Sequence, residues 1–242
     1  MMRGMEIATR GLEAMVLQQA IIANNLANVN TAGFKGDALL LKSFRSVLKN
    51  TMDDTGGSLQ VDGVAMKSGQ GDLTPTSGTF DVALQGEGFF VIDTPDGDRY
   101  TRSGNFTLDS SGQMVTQNGL AVLGENGPIK IEGGTVEINS QGDIIVNGKK
   151  SNTIKVVDFD KPYQLKKTGN NLLDVASDDI QPGNKPGQTE LVQGFLESSS
   201  VSVIREMVKM IEALRAYELG QKAILTQDYL TNKAISEVGK TR

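Results

Sequence analysis

Residues 5–29 read MEIATRGLEAMVLQQAIIANNLANV, and apolar side chains recur in them at alternating intervals of three and four. This spacing places the side chains on one face of a helix, as in the seam of a coiled coil. One glutamine interrupts the seam, whose positions are Met5, Ala8, Leu12, Met15, Gln19, Ile22, Leu26 and Val29. The spacing predicts a helix from about Gly4 to Val29, followed by an Asn- and Gly-containing segment that can end it.

The carboxy-terminal residues repeat this rhythm with a wider apolar stripe. The predicted seam is Val203, Met207, Met210, Leu214, Tyr217, Gln221 and Ile224, widened by Ile204, Ile211 and Leu225. Ser202 is suited to cap this helix because its hydroxyl can accept hydrogen bonds from first-turn amides, and no proline interrupts the helix before about Val238. The two ends are therefore expected to pair, parallel or antiparallel, as a coiled coil that leaves apolar surface for other chains.

The residues between these ends have a different composition. Residues 51–195 contain all six prolines, 22 of the 28 glycines and a net charge of −9. The flanking segments carry +3 and +1. Short Val-, Ile- and Phe-rich runs alternate in the middle with Gly, Asn and Asp, which is typical of antiparallel β-structure.

Several turns can be placed within this β-rich region. Residues 89–92 and 99–102 flank a Pro95-Asp96-Gly97 turn and predict a hairpin. Asn118-Gly119 and Asn147-Gly148 favour type I′ turns, which need two residues with positive φ. Residues 108–112 are echoed by residues 138–142, so two related hairpins are expected 30 residues apart.

Together these patterns predict an α+β protein with paired terminal helices and a central, mainly antiparallel β-domain. The predicted boundaries are 1–35 for the amino-terminal helix, 36–75 for a linker and extended segment, 76–195 for the β-domain and 196–242 for the carboxy-terminal helix. The apolar charge-free runs are too short for a membrane-spanning helix, and charges interrupt the first residues where a cleaved signal peptide would be apolar.

Composition argues against most catalytic and binding chemistries. The 242 residues include no His, Cys or Trp, and their net charge is −5. The commonest general base, the usual zinc ligands and every thiol nucleophile are thus missing, and a negative chain disfavours nucleic acid. Residues 93–98 cluster carboxylates without the spacing of a calcium loop, and Gly86-Glu87-Gly88 lacks the lysine of a phosphate loop. No catalytic, cofactor or metal residue is predicted.

Three other interpretations remain open from the residues alone. The two apolar stripes could pack on the β-domain as ordinary core helices. The chain could be a surface β-domain that binds a glycan or peptide, with helical ends that only oligomerise. An acid-dependent hydrolase would require one carboxylate pair among the 20 acidic residues of the middle segment, and the sequence singles out none.

Residues 23–35, ANNLANVNTAGFK, closely resemble the amino-terminal signature of the bacterial flagellar rod and hook proteins. The resemblance continues in the same order through residues 80–90, 100–106, 206–212 and 215–218. It implies a non-enzymatic, tubular axial component whose terminal helices form an inner coiled-coil domain beneath an outer β-layer. Because residues 34–78 lack a long insertion, the chain looks most like a proximal rod component, with distal rod and hook members as alternatives.

The resemblance also implies where the protein works and with what. It implies location in the flagellar basal-body rod, which spans the periplasm, and export by the flagellar type III apparatus without a cleaved signal peptide. The expected partners are copies of itself, other rod and hook subunits and the export apparatus, with no cofactor, nucleic acid or membrane insertion. Assembly contacts are assigned to Met5, Leu12, Met15, Ile22, Asn24, Asn25, Leu26, Asn28, Asn30, Met207, Met210, Ile211, Leu214, Tyr217 and Ile224.

Overall fold

The structure, a computed structural model, describes residues 2–42, 60–161, 163–176, 180–184 and 186–238. These residues form two compact units. The helical unit contains the described residues of Met1–Ala27, Asp37–Lys67 and Ser202–Arg242. The β-unit contains those of Asn28–Gly36 and Ser68–Val201. Each unit is thus built from segments that are distant in the sequence.

The helical unit consists of two helices and one hairpin. Its elements are α1 (Met2–Ala27), β1 (Asp37–Lys42), β2 (Gln60–Met66) and α2 (Val203–Val238). β1 and β2 pair antiparallel from Asp37↔Met66 to Lys42↔Gln60. The two predicted helices are confirmed, and α2 begins directly after the expected cap, Ser202. α1 ends two residues before the predicted Val29 because residues 28–31 form a turn, in which the amide of Thr31 donates to the carbonyl of Asn28 over 3.2 Å.

The β-unit is mainly antiparallel, as predicted. Its strands are β3 (Leu73–Pro75), β4 (Val82–Gln85), β5 (Phe89–Thr94), β6 (Gly97–Thr101), β7 (Thr107–Leu108), β8 (Met114–Val115), β9 (Ala121–Gly124), β10 (Gly127–Pro128), β11 (Val136–Ile138), β12 (Asp143–Val146), β13 (Lys149–Thr153), β14 (Val156–Asp158), β15 (Leu165–Gly169), β16 (Leu172–Val175), β17 (Gly183–Asn184), β18 (Glu190–Gln193) and β19 (Phe195–Glu197).

The largest sheet follows the order β15-β16-β6-β5-β9-β8-β7, with β10 beside β9 and β14 between β5 and β17. A three-stranded sheet has the order β11-β12-β13, and two ribbons pair β18 with β4 and β19 with β3. One apolar core joins these sheets, and its fully buried members include Leu84, Phe90, Ile92 and Ile144. The core draws on strands from residue 82 to residue 191, so the β-unit buries its own apolar surface.

The turn predictions are confirmed in two cases and wrong in one. β5 and β6 form the expected hairpin around Pro95 and Asp96. Asn147 and Gly148 have φ values of 51° and 79°, as a type I′ turn requires. Gly119 alone has positive φ in the other dipeptide, where its amide donates to the carbonyl of Thr116 over 2.9 Å. This is a three-residue hairpin loop, in which a β-turn is followed by a glycine with positive φ.

The predicted internal echo is confirmed as two hairpins with the same turn. Asp109 Oδ1 accepts from the amides of residues 111 and 113, and Asn139 Oδ1 accepts from those of residues 141 and 143. A strand and an Asn-Gly turn follow in both cases. Asp109 and Asn139 therefore make the same side-chain hydrogen bonds to the backbone, and these bonds form the same turn at both places.

The segment 36–75, predicted as a linker and extended chain, contains β1, β2 and β3 in its described parts. Residues 43–59 of that segment lie outside the described residues. In the part of the chain that the structure describes, no helix is long and apolar enough to cross a membrane.

Candidate functional site

The two helices of the helical unit lie antiparallel. Asn25 of α1 is close to Glu206 near the start of α2, whereas Leu12 is close to Gly220 further along α2. Residues near the end of α1 therefore contact residues near the start of α2, and residues earlier in α1 contact residues later in α2. A Cβ atom at position 220 would lie only 2.7 Å from Leu12 Cδ2, so the absent side chain of glycine permits this close approach.

Small and polar residues occupy the buried face of α2. The positions along α2 that form a partly or fully buried heptad stripe are Glu206, Met210, Ala213, Tyr217, Gly220, Ile224, Gln227 and Thr231. The predicted seam coincides with this stripe only at Met210, Tyr217 and Ile224. Its other members, Val203, Met207, Leu214 and Gln221, are exposed, so the seam is rotated by about 50° from the prediction. Ala213 and Gly220 explain the rotation, because small side chains let helices approach more closely than large ones.

Large apolar residues consequently remain on the outside of α2. Ile204 is 78% exposed, Met207 52% and Leu214 45%. The complete exposed set on this helix is Val203, Ile204, Met207, Val208, Ile211, Leu214, Leu219, Leu225, Tyr229, Leu230 and Ile235. A concentration of exposed large apolar residues on one helix is typical of a surface that contacts other macromolecules.

The fifteen residues predicted for assembly differ in exposure. All except Asn28 and Asn30 belong to the helical unit. Two are buried: Ile22 and Asn25. Seven are partly buried: Leu12, Met15, Leu26, Asn28, Met210, Tyr217 and Ile224. Six are exposed: Met5, Asn24, Asn30, Met207, Ile211 and Leu214.

Asn25 has an internal structural role in the helical unit. Its Oδ1 accepts from the amide of Asp37 over 2.8 Å, and its Nδ2 donates to the carbonyl of the same residue over 2.9 Å. Its side chain is fully buried. Asn25 thus satisfies both backbone groups of the first residue of β1, which accounts for an amide residue inside the amino-terminal signature.

Glu206 links three elements of the same unit. Its carboxylate accepts from Lys209 over 2.7 Å and from Lys67 over 3.2 Å, and Asn25 Nδ2 lies 3.5 Å away. The residue is 2% exposed. Burial tends to raise the pKa of Glu206, but the hydrogen bonds from Lys209 and Lys67 outweigh it and hold the pKa below its ordinary value.

A second buried carboxylate, Glu197, lies in the β-unit. Its Oε1 accepts from Lys35 over 2.6 Å and from the amide of Gly71 over 3.0 Å, while its Oε2 accepts from Arg102 Nε over 2.9 Å. Its own carbonyl accepts from the amide of Gly33 over 2.6 Å. Glu197 therefore joins the segment 28–36, the segment before β3 and the end of β6, which are far apart in sequence.

The motif Gly86-Glu87-Gly88 holds the guanidinium of Arg102. The carbonyls of Gly88 and Gly86 accept from Arg102 Nη1 and Nη2, each over 2.6 Å. Both glycines have positive φ, and a Cβ at Gly88 would lie 2.9 Å from Val156 Cγ1. β5 begins directly after these residues, at Phe89, so they lead into a strand as well as form this cradle.

The predicted site residues include none of the six charged residues of these two clusters, which are Lys35, Lys67, Arg102, Glu197, Glu206 and Lys209. Four of the six, Lys35, Arg102, Glu197 and Glu206, are at most 5% exposed. The available signal was that Lys35 and Arg102 each stand within a quoted motif beside aromatic and glycine residues, where a solvated charge is unusual. Their common partner could not be found from spacing, because Glu197 is 162 positions from Lys35.

Three family models match the chain. Residues 5–35 match "Flagella basal body rod protein", residues 83–146 match "Flagellar hook protein FlgE/F/G D1 domain", and residues 192–237 match "Flagellar basal body rod FlgEFG protein C-terminal". The matched ranges include both helices and most of the strands that build the core.

Curated relatives are similar over nearly the whole length. The flagellar basal-body rod protein FlgG of Buchnera aphidicola subsp. Acyrthosiphon pisum is 32% identical, with 94% of this chain and 96% of the relative covered. FlgG of Bacillus subtilis is 34% identical, with 98% and 99% covered. The flagellar basal-body rod protein FlgF of Caulobacter vibrioides is 35% identical, with 91% of each chain covered.

Proposed function

The chain belongs to the flagellar basal-body rod protein family, and we propose that it is a structural subunit of the rod that assembles helically through its terminal helices. In this role it forms part of the axial drive shaft and of the export channel within it. It acts as a building element and not as an enzyme. Its partners are other copies of the chain and neighbouring rod and hook subunits.

The outward apolar face of α2 is the observation that carries this proposal. A face of this kind costs free energy in water, at about 25 cal/mol per Å² of apolar surface. Contact with helices of neighbouring subunits removes that surface from water. The β-unit, by contrast, has a complete core of its own. The helices are therefore the part of the chain that gains most from assembly.

The terminal helices pair as an antiparallel coiled coil in the assembled rod. Heptad spacing in the buried stripe of α2 and the approach of Leu12 to Gly220 support this pairing. The predicted assembly residues Met207, Ile211 and Leu214 then face neighbouring subunits. Met210, Tyr217 and Ile224 lie between the paired helices and contribute to assembly by holding α2 in place.

The proposed position is in the proximal rod, with the distal rod as the alternative. The alignment with FlgG of Bacillus subtilis spans 268 positions, 26 more than the 242 residues of this chain. The alignment with FlgF of Caulobacter vibrioides spans 229 positions. At least 26 positions of the FlgG alignment are therefore gaps in this chain, which supports assignment to a rod member without the long insertion of the distal rod protein.

Export by the flagellar type III apparatus completes the proposed function, and membership of the basal-body rod family supports this route. The working location is the basal body.

The assembly surface is tested by replacing Met207 and Leu214 together with glutamine. Both side chains are about half exposed, so the subunit should fold, but it should enter the rod poorly because two apolar contacts are replaced by polar groups. The measurements are swimming motility and the amount of subunit in purified basal bodies, in cells that lack the native copy. At least a tenfold loss of incorporation is expected, equivalent to about 1.4 kcal/mol.

A matched control replaces Arg205 and Glu212 with glutamine. Both residues are exposed on the same helix, and the pair leaves the net charge of the chain unchanged, as the test pair does. The control should assemble normally. Normal incorporation of the Met207→Gln/Leu214→Gln subunit would contradict assembly through this face.

A further inference from the structure

The β-unit contains a cleft beside the Glu197 cluster. Its volume is about 550 Å³. Its lining includes Lys35, Phe89, Arg102 and Tyr163. Cavities of this size accommodate small organic molecules.

At the floor of this cleft, two buried cations share one buried carboxylate. Lys35 and Arg102 are 5% and 4% exposed, and both bind the single carboxylate of Glu197. Glu87 also lines the cleft, but its carboxylate is half-exposed and pairs with Lys161. The buried cluster therefore retains one uncompensated positive charge, an arrangement that is costly until an anion approaches.

The same two cations have hydrogen-bond donors to spare. Among the described residues, Lys35 Nζ donates to Glu197 and to the carbonyl of Gly69, which uses two of its three N–H groups. Arg102 donates to Glu197, Gly86 and Gly88, which uses three of its five. Hydrogen bonds from such groups to an oxyanion are shorter and stronger than those between neutral groups.

The walls of the cleft suit a small organic body. Phe89 and Tyr163 meet edge to face with ring centroids 5.4 Å apart. Burial and the nearby Asp158 and Glu87 carboxylates raise the pKa of Tyr163 to about 12, so its hydroxyl stays protonated. Burial, reinforced by Arg102 and opposed by Glu197, lowers the pKa of Lys35.

We propose that this cleft binds a small organic carboxylate, of the size of an amino acid, with its carboxylate against Lys35 and Arg102 and its body against Tyr163. The carboxylate of the ligand supplies a second negative charge to the cluster and accepts hydrogen bonds from the remaining N–H groups of Lys35 and Arg102. This site belongs to the β-unit, whereas the proposed assembly face belongs to the helical unit. Its failure would leave the proposed rod function untouched.

The first test titrates the full-length chain with acetate and follows the side-chain nitrogen resonances of Lys35 and Arg102 by NMR. Saturable shifts are expected with acetate and with N-acetylglycine, which carries a larger body. Acetamide, which has the same shape without the charge, should cause none at equal concentration. Equal shifts with acetamide, or none with either carboxylate, would overturn the proposal.

Inorganic phosphate and sodium chloride at matched ionic strength distinguish a carboxylate site from a general anion site. A carboxylate site predicts that N-acetylglycine binds at least about tenfold more tightly than phosphate, because Tyr163 contacts its body. Phosphate or chloride binding as tight as that of N-acetylglycine would refute the assignment.

Two variants separate binding from folding. Lys35→Met removes the surplus charge and leaves the Arg102–Glu197 pair balanced, so it should fold and lose acetate binding. Glu197→Gln leaves two cations without their carboxylate, so this variant should melt at a lower temperature than the native chain. Acetate should raise the melting temperature of the variant more than it raises that of the native chain. Retained binding in Lys35→Met, or no selective rescue of Glu197→Gln by acetate over acetamide, would contradict the proposal.

Discussion

At the scale of single residues, two buried glutamates each join distant segments of the chain. Glu206 accepts hydrogen bonds from Lys67, Lys209 and Asn25 within the helical unit. Glu197 forms ion pairs with Lys35 and Arg102 within the β-unit. A buried carboxylate is tolerated only when donors replace the water it has lost, and each glutamate meets this need with donors from distant segments. Each therefore stabilises the tertiary contacts of its own unit.

Replacing Glu206 with glutamine should destabilise the helical unit by about 1–3 kcal/mol at neutral pH, because hydrogen bonds from charged groups are lost. The pKa of Glu206 is lowered in the folded chain, so its stabilisation is present above the ordinary value of 4.5 and is lost as pH falls below it. The variant should lack this part of the acid dependence. Urea unfolding followed by far-ultraviolet circular dichroism, at several pH values, measures both effects.

The control for this prediction is Glu212→Gln, an exposed position on the same helix. Its unfolding curve should follow that of the native chain at every pH. An unchanged acid dependence in Glu206→Gln would show that other groups cause it.

At the scale of elements, α2 has two faces with different tasks. The stripe that includes Ala213 and Gly220 is small and permits close contact with α1. The face that includes Met207 and Leu214 is large and apolar and remains exposed. A single helix can serve both tasks because its 3.6-residue period separates the two sets of side chains around the axis.

Replacing Gly220 with leucine should separate the helices, because even a Cβ there lies 2.7 Å from Leu12 Cδ2. Leucine favours helix over glycine, so the substitution does not weaken α2 itself. We expect a loss of about 1–3 kcal/mol from overpacking. Thermal unfolding of the helical signal tests this.

Ala223→Leu is the matched control, since it places the same leucine side chain at an exposed position of the same helix. It should leave the melting temperature nearly unchanged. Equal stability of Gly220→Leu and the control would mean that α1 and α2 do not pack through position 220.

At the scale of the whole molecule, the chain passes repeatedly between two units. Each unit has its own stabilising contacts. The apolar core from residue 82 to residue 191 lies within the β-unit. The helical unit has few fully buried large apolar side chains among its described residues and exposes many. The stability of the helical unit should therefore depend on neighbouring subunits more strongly than the stability of the β-unit does.

Deleting residues 203–242 should leave the β-unit folded and abolish assembly. The reason is that the deletion removes α2 without removing any member of the β-unit core. Amide NMR spectra of the truncated chain should retain the dispersed resonances of the β-unit, and basal bodies should contain none of it. Loss of those resonances would mean that the β-unit depends on the helix, and incorporation would contradict assembly through α2.

The sequence by itself determined the elements and the family. Heptad spacing located both helices within two residues, and Gly-, Asn- and Pro-containing turns located several hairpins, because these signals are local in the chain. The motif from Ala23 to Lys35 indicated the flagellar rod and hook proteins. One Asn-Gly turn was wrongly assigned, since Asn118 can also occupy a turn with negative φ.

Only the tertiary structure decided which face of α2 is buried and which charges meet. Apolar periodicity favoured the larger side chains, whereas close packing selected the stripe with Ala213 and Gly220. The pairing of Lys35 and Arg102 with Glu197 likewise depends on segments brought together by the β-unit. Spacing along the chain reports local conformation, but contact between distant residues depends on the shape and volume of the surfaces that fit together.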